Sequence, residues 1–147
     1  MAEFNVGPAG LVPPGTIHHI GVIVADLAEA VVAYVSLGFV AGATERLEAQ
    51  NVDVVALRAG DSWIELICPL DHDSGLGRFL DARGPGMHHV AYLVDDLGGT
   101  LTRLASAGVE LIDAEPRVGL HGWRIAFIHP RSCAGVLTEL VERDSTM

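Results

Sequence analysis

The chain contains no lysine, so all nine of its cationic side chains are arginines. Schiff-base and pyridoxal-lysine catalysis both need a nucleophilic amine from that residue and are excluded. The arginines stand singly along a chain of formal charge -10. With no basic cluster to neutralise a phosphate backbone, nucleic acid is not an expected partner. Only two cysteines occur, Cys68 and Cys133. They lie far apart without CxxC spacing, which argues against a disulfide scaffold or a thiolate zinc site and leaves them as buried hydrophobes. Half of the residues are apolar, yet no run reaches the roughly 18 to 20 unbroken apolar residues of a membrane-spanning helix, so no membrane partner is expected. The opening residues MAEFNVGPAGLVPP lack the charged start and apolar core of a secretory signal and the arginines of a transit peptide. They read as a flexible arm over 1–15 of a cytoplasmic protein.

What the chain does have is a repeat. Sliding the sequence over itself by seventy positions lays HHIGVIVADLAEAVVAYVSLGF, from His18, over HHVAYLVDDLGGTLTRLASAGV, from His88, with seven of twenty-two positions identical. The identities are His18/His88, His19/His89, Val24/Val94, Asp26/Asp96, Leu27/Leu97, Ser36/Ser106 and Gly38/Gly108. Each copy opens on an apolar β-branched run that reads as a strand, Ile17 to Val24 and His88 to Val94. Asp26 and Asp96 stand where a helix N-cap belongs, and Gly38 and Gly108 where a left-handed helix end belongs. Further strands are expected over 39–45, 52–58 and 62–67 in the first half, and over 109–112, 123–129 and 135–141 in the second. GDS at 60–62 and HPRSCAG at 129–135 supply hairpin turns. The length suits one domain. Its expected limits are 16–142, with βαβββ modules over about 16–70 and 86–142, a linker holding a short helix between them, and a tail at 143–147.

Strand parity selects candidate ligands. Neighbouring side chains on a strand face opposite ways, so one member of each His-His pair is expected to reach a shared cleft. His18 sides with Ile20, Val22 and Val24, an apolar face for a helix, whereas His19 sides with Gly21 and Ile23. His89 sides likewise with Ala91. Glu65, between Ile64 and Leu66, and Glu139, between Thr138 and Leu140, are carboxylates in apolar strands, a costly placement unless paired or metal-bound. If the halves pair about a pseudo-twofold axis, His19, Glu65, His89 and Glu139 form one centre for a divalent ion. Mixed nitrogen and oxygen ligation leaves cobalt, nickel, manganese, zinc and magnesium all open. His18 and His88 are then supporting residues, and His72, His121 and His129 loop residues.

The segments IHHIGVIVADL, IELICPL, DSGLGRFL, GMHHVAYLVDDL, VELIDAEPRVGLHG and FIHPRSCAGVLTELVE resemble the vicinal oxygen chelate superfamily, and within it the methylmalonyl-CoA epimerase family. The likeness spans about residues 16–142. The two His-strand starts point only to the superfamily; the DS-x-x-x-x-FL and HP-x-S-x-x-GVL-x-EL patterns point to the family. The resemblance implies an α+β fold in which the paired modules form a curved mixed sheet, or cup, around the metal. It places the ligands at the same four residues and implies epimerisation of (2R)- and (2S)-methylmalonyl-CoA through a metal-stabilised enolate, by a homodimer. Some members of the family carry a glutamate base at the position of Val54, which cannot take a proton. Glu65 and Glu139 are therefore expected to double as the acid/base pair, with Glu48 in reserve. Arg117, His121 and Arg124 are weak candidates for contacts to the acyl-CoA. The rival expectations are a glyoxalase-I-type lactoylglutathione lyase, an epimerase-like enzyme for another acyl thioester, and a non-enzymatic drug-binding resistance protein.

Overall fold

The structure, a computed structural model, describes residues 14–144; the expected arm over 1–13 and the last three residues of the tail lie outside it. The described residues fall into two compact units, Thr16–Ala91 and the stretch from Tyr92 onward, which Pro14 and Gly15 join. Gly15 donates its amide to the Leu93 carbonyl at 2.8 Å.

The first unit runs β1 (Ile17–Ile23), α1 (Leu27–Ser36), β2 (Ala41–Leu47), β3 (Val52–Ala59), β4 (Ser62–Pro69), α2 (Gly75–Arg83) and the start of β5 (Gly86–Val94). Its strands lie in the order β2-β3-β4-β1-β5. β1 and β4 are parallel, which requires the long crossover through α1, whereas β2, β3 and β4 form antiparallel hairpins. Asp26 begins α1 as expected: its carboxylate accepts the Glu29 amide at 3.0 Å. Gly38 follows the helix at φ +100, a conformation that a residue with a Cβ rarely adopts. Val24, Val55, Leu57 and Leu66 bury one face of the sheet against Leu27, Ala30, Val31 and Tyr34 of the α1 segment. Each fully buried leucine there contributes about 1.5 to 3 kcal/mol relative to exposure. Alternation then sends His19, Gly21, Val54, Ala56, Trp63 and Glu65 to the face away from α1.

The second unit holds the end of β5, α3 (Leu97–Ser106), β6 (Arg117–Val118), β7 (Arg124–Ile128) and β8 (Thr138–Glu142). Asp96 caps α3 by accepting the Gly99 amide at 3.0 Å, and Gly108 follows at φ +84. Leu97 and Leu101 pack on Val94, Ala126, Ile128 and Leu140. β8 pairs with β7 and β7 with β6, all antiparallel, and Arg143 donates to the Val94 carbonyl at 2.7 Å.

The strand expected over 109–112 is corrected to a single bridge, Leu111 with Ile128. The Asp113 carboxylate accepts the Phe127 amide at 2.8 Å, so a side chain occupies the donor that a longer ladder would use, and the Phe127 carbonyl takes both the Ile112 and Asp113 amides. The short β6 pairs in its place. β8 begins three residues later than expected because Ala134 and Gly135, at φ +54 and +90, are still in the turn. Among the described residues no helix is long and apolar enough to cross a membrane.

Candidate metal centre

Inside the first unit His19 reaches two of the other expected ligands, His89 and Glu65, and register explains how. Gly21 on β1 lies directly across from Glu65 on β4, one step along from the pair His19 and Trp63. β5 adjoins β1 on its other side. Gly21 has no side chain, and the His89 ring fills the space: a Cβ on Gly21 would stand 2.1 Å from the ring carbon Cε1. The small residue beside His19 therefore makes room for the second histidine. His19 Nε2 and His89 Nε2 come to 3.0 Å, and His19 Nε2 lies 3.3 Å from Glu65 Oε2. All three side chains are buried, His19 to 1% exposure.

These separations suit a divalent ion. Two donors bonded at about 2.0 to 2.2 Å are about 2.8 to 3.1 Å apart at right angles and about 3.3 to 3.6 Å apart at tetrahedral angles. Neutral imidazole nitrogens and a carboxylate are also the donor chemistry of zinc, cobalt, nickel and manganese sites.

The outer histidines do not simply turn away, as parity alone implied. His18 Nδ1 lies 2.8 Å from His19 Nδ1, and His88 Nδ1 lies 3.0 Å from His89 Nδ1. His88 also stands edge-on to Phe79 of α2, with centroids 4.9 Å apart. The linker helix, expected only as a connection, thus supports the cluster.

Glu139 belongs to the second unit. It sits on β8 opposite Phe127 of β7 and is buried, and its neighbour Leu140 packs in the α3 core, so Glu139 faces away from α3. That is the relation of Glu65 to Leu66 and α1 in the first unit.

The reserve candidate Glu48 is not brought to the face that carries His19. It is exposed, in the turn after β2, where its carbonyl accepts the Asn51 amide. Asp53 is turned to the α1 side of β3 and bonds Arg46 at 2.8 and 2.9 Å, and that guanidinium holds its carboxyl below the usual range. Val54, buried, does lie on the His19 side. Sequence reading missed Glu45, which pairs with Val54 across the β2–β3 hairpin and so shares its face, half-buried. The two-residue alternation from Glu45 to Leu47 carried that signal once the hairpin was in register.

Arg117, His121 and Arg124 are exposed in the second unit. Arg117 pairs with Asp113 at 3.2 Å and covers the Phe127 ring; Arg124 pairs with Glu142 at 2.6 Å; His121 stands 4.9 Å from the Trp123 ring. The two cysteines are half-buried: the Cys68 thiol reaches the Ala25 carbonyl at 3.6 Å and burial pushes its pKa up, while Cys133 packs on the α3 core.

The chain is similar to several known proteins. The family model described as the glyoxalase/bleomycin resistance protein/dioxygenase superfamily matches residues 18–127. A mitochondrial methylmalonyl-CoA epimerase from Bos taurus is 35% identical over 128 residues, 86% of this chain and 73% of that one. The crystal structure of methylmalonyl-CoA epimerase from Mycobacterium tuberculosis superposes with a TM-score of 0.84 at 37% identity, over 96% of this chain and 95% of that chain. A methylmalonyl-CoA epimerase solved in complex with methylmalonyl-CoA and NH4+ gives a TM-score of 0.83 at 36% identity, over 90% and 97% of the two chains.

Proposed function

From the premise that the chain belongs to the glyoxalase/bleomycin resistance protein/dioxygenase superfamily, and within it to the methylmalonyl-CoA epimerase family with the fold of those enzymes, we propose that it interconverts (2R)- and (2S)-methylmalonyl-CoA at a divalent-metal centre. The observation that carries this reading is the buried approach of His19 Nε2 to both His89 Nε2, at 3.0 Å, and Glu65 Oε2, at 3.3 Å. Glu139, the buried carboxylate of β8, is the fourth ligand in this reading and completes a set of two imidazoles and two carboxylates. A related epimerase holds methylmalonyl-CoA in its structure, which supports an acyl-CoA as substrate.

The reaction exchanges one proton on the carbon between the thioester and the carboxylate. When bound, a divalent ion supplies positive charge beside the oxygen on which charge builds as that proton leaves. His19 and His89 fix the place of that charge. Return of the proton to the opposite face needs a second group, so two acid/base residues are required. Val54 can supply neither. Glu65 and Glu139, each facing away from the helix of its own unit, are assigned both duties, binding the ion and carrying the proton. Around Glu65 the sheet face is apolar: Ala56, its cross-strand partner on β3, and Val54, on the same face, are buried. The protein is taken to work as a cytoplasmic homodimer.

The test is loss of the α-proton of methylmalonyl-CoA to deuterated water, followed by NMR with metal-reconstituted protein. The hemithioacetal of methylglyoxal and glutathione serves as rival substrate. The proposal expects exchange into methylmalonyl-CoA and none of the rival chemistry. Turnover of the hemithioacetal alone would assign a glyoxalase-type lyase instead, and activity on neither would reject both.

A further inference from the structure

Four imidazoles form one chain in the first unit, His18–His19–His89–His88. The contacts are Nδ1 to Nδ1 at 2.8 Å, Nε2 to Nε2 at 3.0 Å and Nδ1 to Nδ1 at 3.0 Å. Neighbouring rings stand nearly perpendicular, with centroids 5.1 to 5.2 Å apart. The centre proposed above uses only the two inner rings. The outer two are as deliberately placed: His18 is 6% exposed, and His88 is held edge-on by Phe79, whose ring in turn lies 5.0 Å under the Arg83 guanidinium.

Proton counting gives the outer rings a task. A neutral imidazole has one N–H and one lone pair. If His19 and His89 give their Nε2 lone pairs to an ion, each carries its proton on Nδ1, pointing at the Nδ1 of its sequence neighbour. An N–H on that neighbouring atom would set two donors against each other at 2.8 to 3.0 Å. A lone pair there accepts the hydrogen bond, fixes the ring plane and makes the ligating nitrogen more basic.

We infer that His18 and His88 are positioning residues for the metal: held as Nε2–H tautomers, they accept the Nδ1–H of His19 and His89 and so orient both imidazole ligands. The assignment rests on the metal reading above. It also explains why each copy of the repeat carries two histidines where parity gave a use for one. The α2 segment joins the same system through Phe79 and His88, so the helix between the modules braces one ligand.

Zinc binding to the full chain, measured by competition with a coloured chelator, tests this without any substrate. The variants are His18→Leu and His88→Leu, which lose the acceptor, and His18→Asn and His88→Asn, whose carbonyl oxygen stands near the place of Nδ1. The leucine variants are expected to bind zinc about 10- to 100-fold more weakly, the range for loss of such partners. The asparagine variants should recover most of that loss. Nitrogen-15 spectra of the zinc-loaded wild-type protein should show both outer rings protonated on Nε2, a readout that needs no variant to fold. Leucine variants with wild-type affinity, or an Nδ1–H on either outer ring of the loaded protein, would overturn the inference while leaving the metal reading intact. Failure of the wild-type chain to take up zinc would overturn both.

Discussion

The two copies of the repeat have diverged unequally, and the pattern separates what the site needs from what the fold tolerates. β1–α1 and β5–α3 keep the same landmarks: paired histidines, an aspartate cap accepting the amide three residues on, and a positive-φ glycine after the helix. The strands carrying Glu65 and Glu139 also match, each glutamate buried next to a leucine of its helix-facing core. The remaining strands do not match. β2 and β3 form a long hairpin closed by the turn at 48–51, and β3 returns to β4 through Gly60 and Asp61. The equivalent stretch after α3 is reduced to the Leu111–Ile128 bridge and the two-residue β6. Strands that carry the candidate ligands resemble one another, and strands that only extend the sheet differ.

If that comparison is right, equivalent residues should fail equivalently. His19→Ala and His89→Ala should each cut metal affinity by orders of magnitude, read by metal content after dialysis; loss in one alone would break the symmetry. Next come Glu65→Gln and Glu139→Gln. Removing a general acid or base costs about 10²- to 10⁴-fold, so deuterium exchange into methylmalonyl-CoA should fall by at least about 100-fold in each. Full activity in both would sink the assignment of these residues as the acid/base pair.

A deliberate asymmetry gives the third prediction. β5 carries Ala91 where β1 carries Gly21, and only Gly21 has the His89 ring in its Cβ position. Gly21→Ala should displace that ring, weaken metal binding and cost about 1 to 3 kcal/mol of stability, as overpacking does; thermal unfolding with and without zinc reads both effects. Asp26→Ala and Asp96→Ala should each cost about 1 kcal/mol through the lost cap, with metal affinity unchanged. The smallest effect is expected for Glu48→Gln, an exposed turn residue, within about 0.5 kcal/mol of wild type in stability and near wild-type in exchange rate. A large loss there would return Glu48 to the catalytic account.

The same division explains how much was legible in the sequence. The helices, their caps and the strands bearing His19, Glu65 and His89 follow from local rules, because Asp26, Gly38, Asp96 and Gly108 act within a few residues. The second strand of the second module was not legible, since Asp113 ends it by bonding Phe127, fourteen residues away. The candidate site was half legible. Parity put His19 and His89 on one face, where their Nε2 atoms meet at 3.0 Å, yet could not show that Gly21 leaves the space the His89 ring fills or that His18 and His88 lie against the two inner rings. Those facts depend on β1 lying beside both β4 and β5, which one strand's pattern does not contain. Glu45 was missed for the same reason: its place beside Val54 appears only when β2 and β3 are in register.

In the proposed reaction one divalent ion, held by His19, His89 and the two glutamates, makes the α-proton of methylmalonyl-CoA removable. Adding cobalt stepwise to chelator-stripped protein while following deuterium exchange tests this most directly. Exchange should be absent at the start, rise in proportion to bound cobalt and level off at one ion per chain. Full exchange before any cobalt is added, or none once the site is saturated, would contradict it.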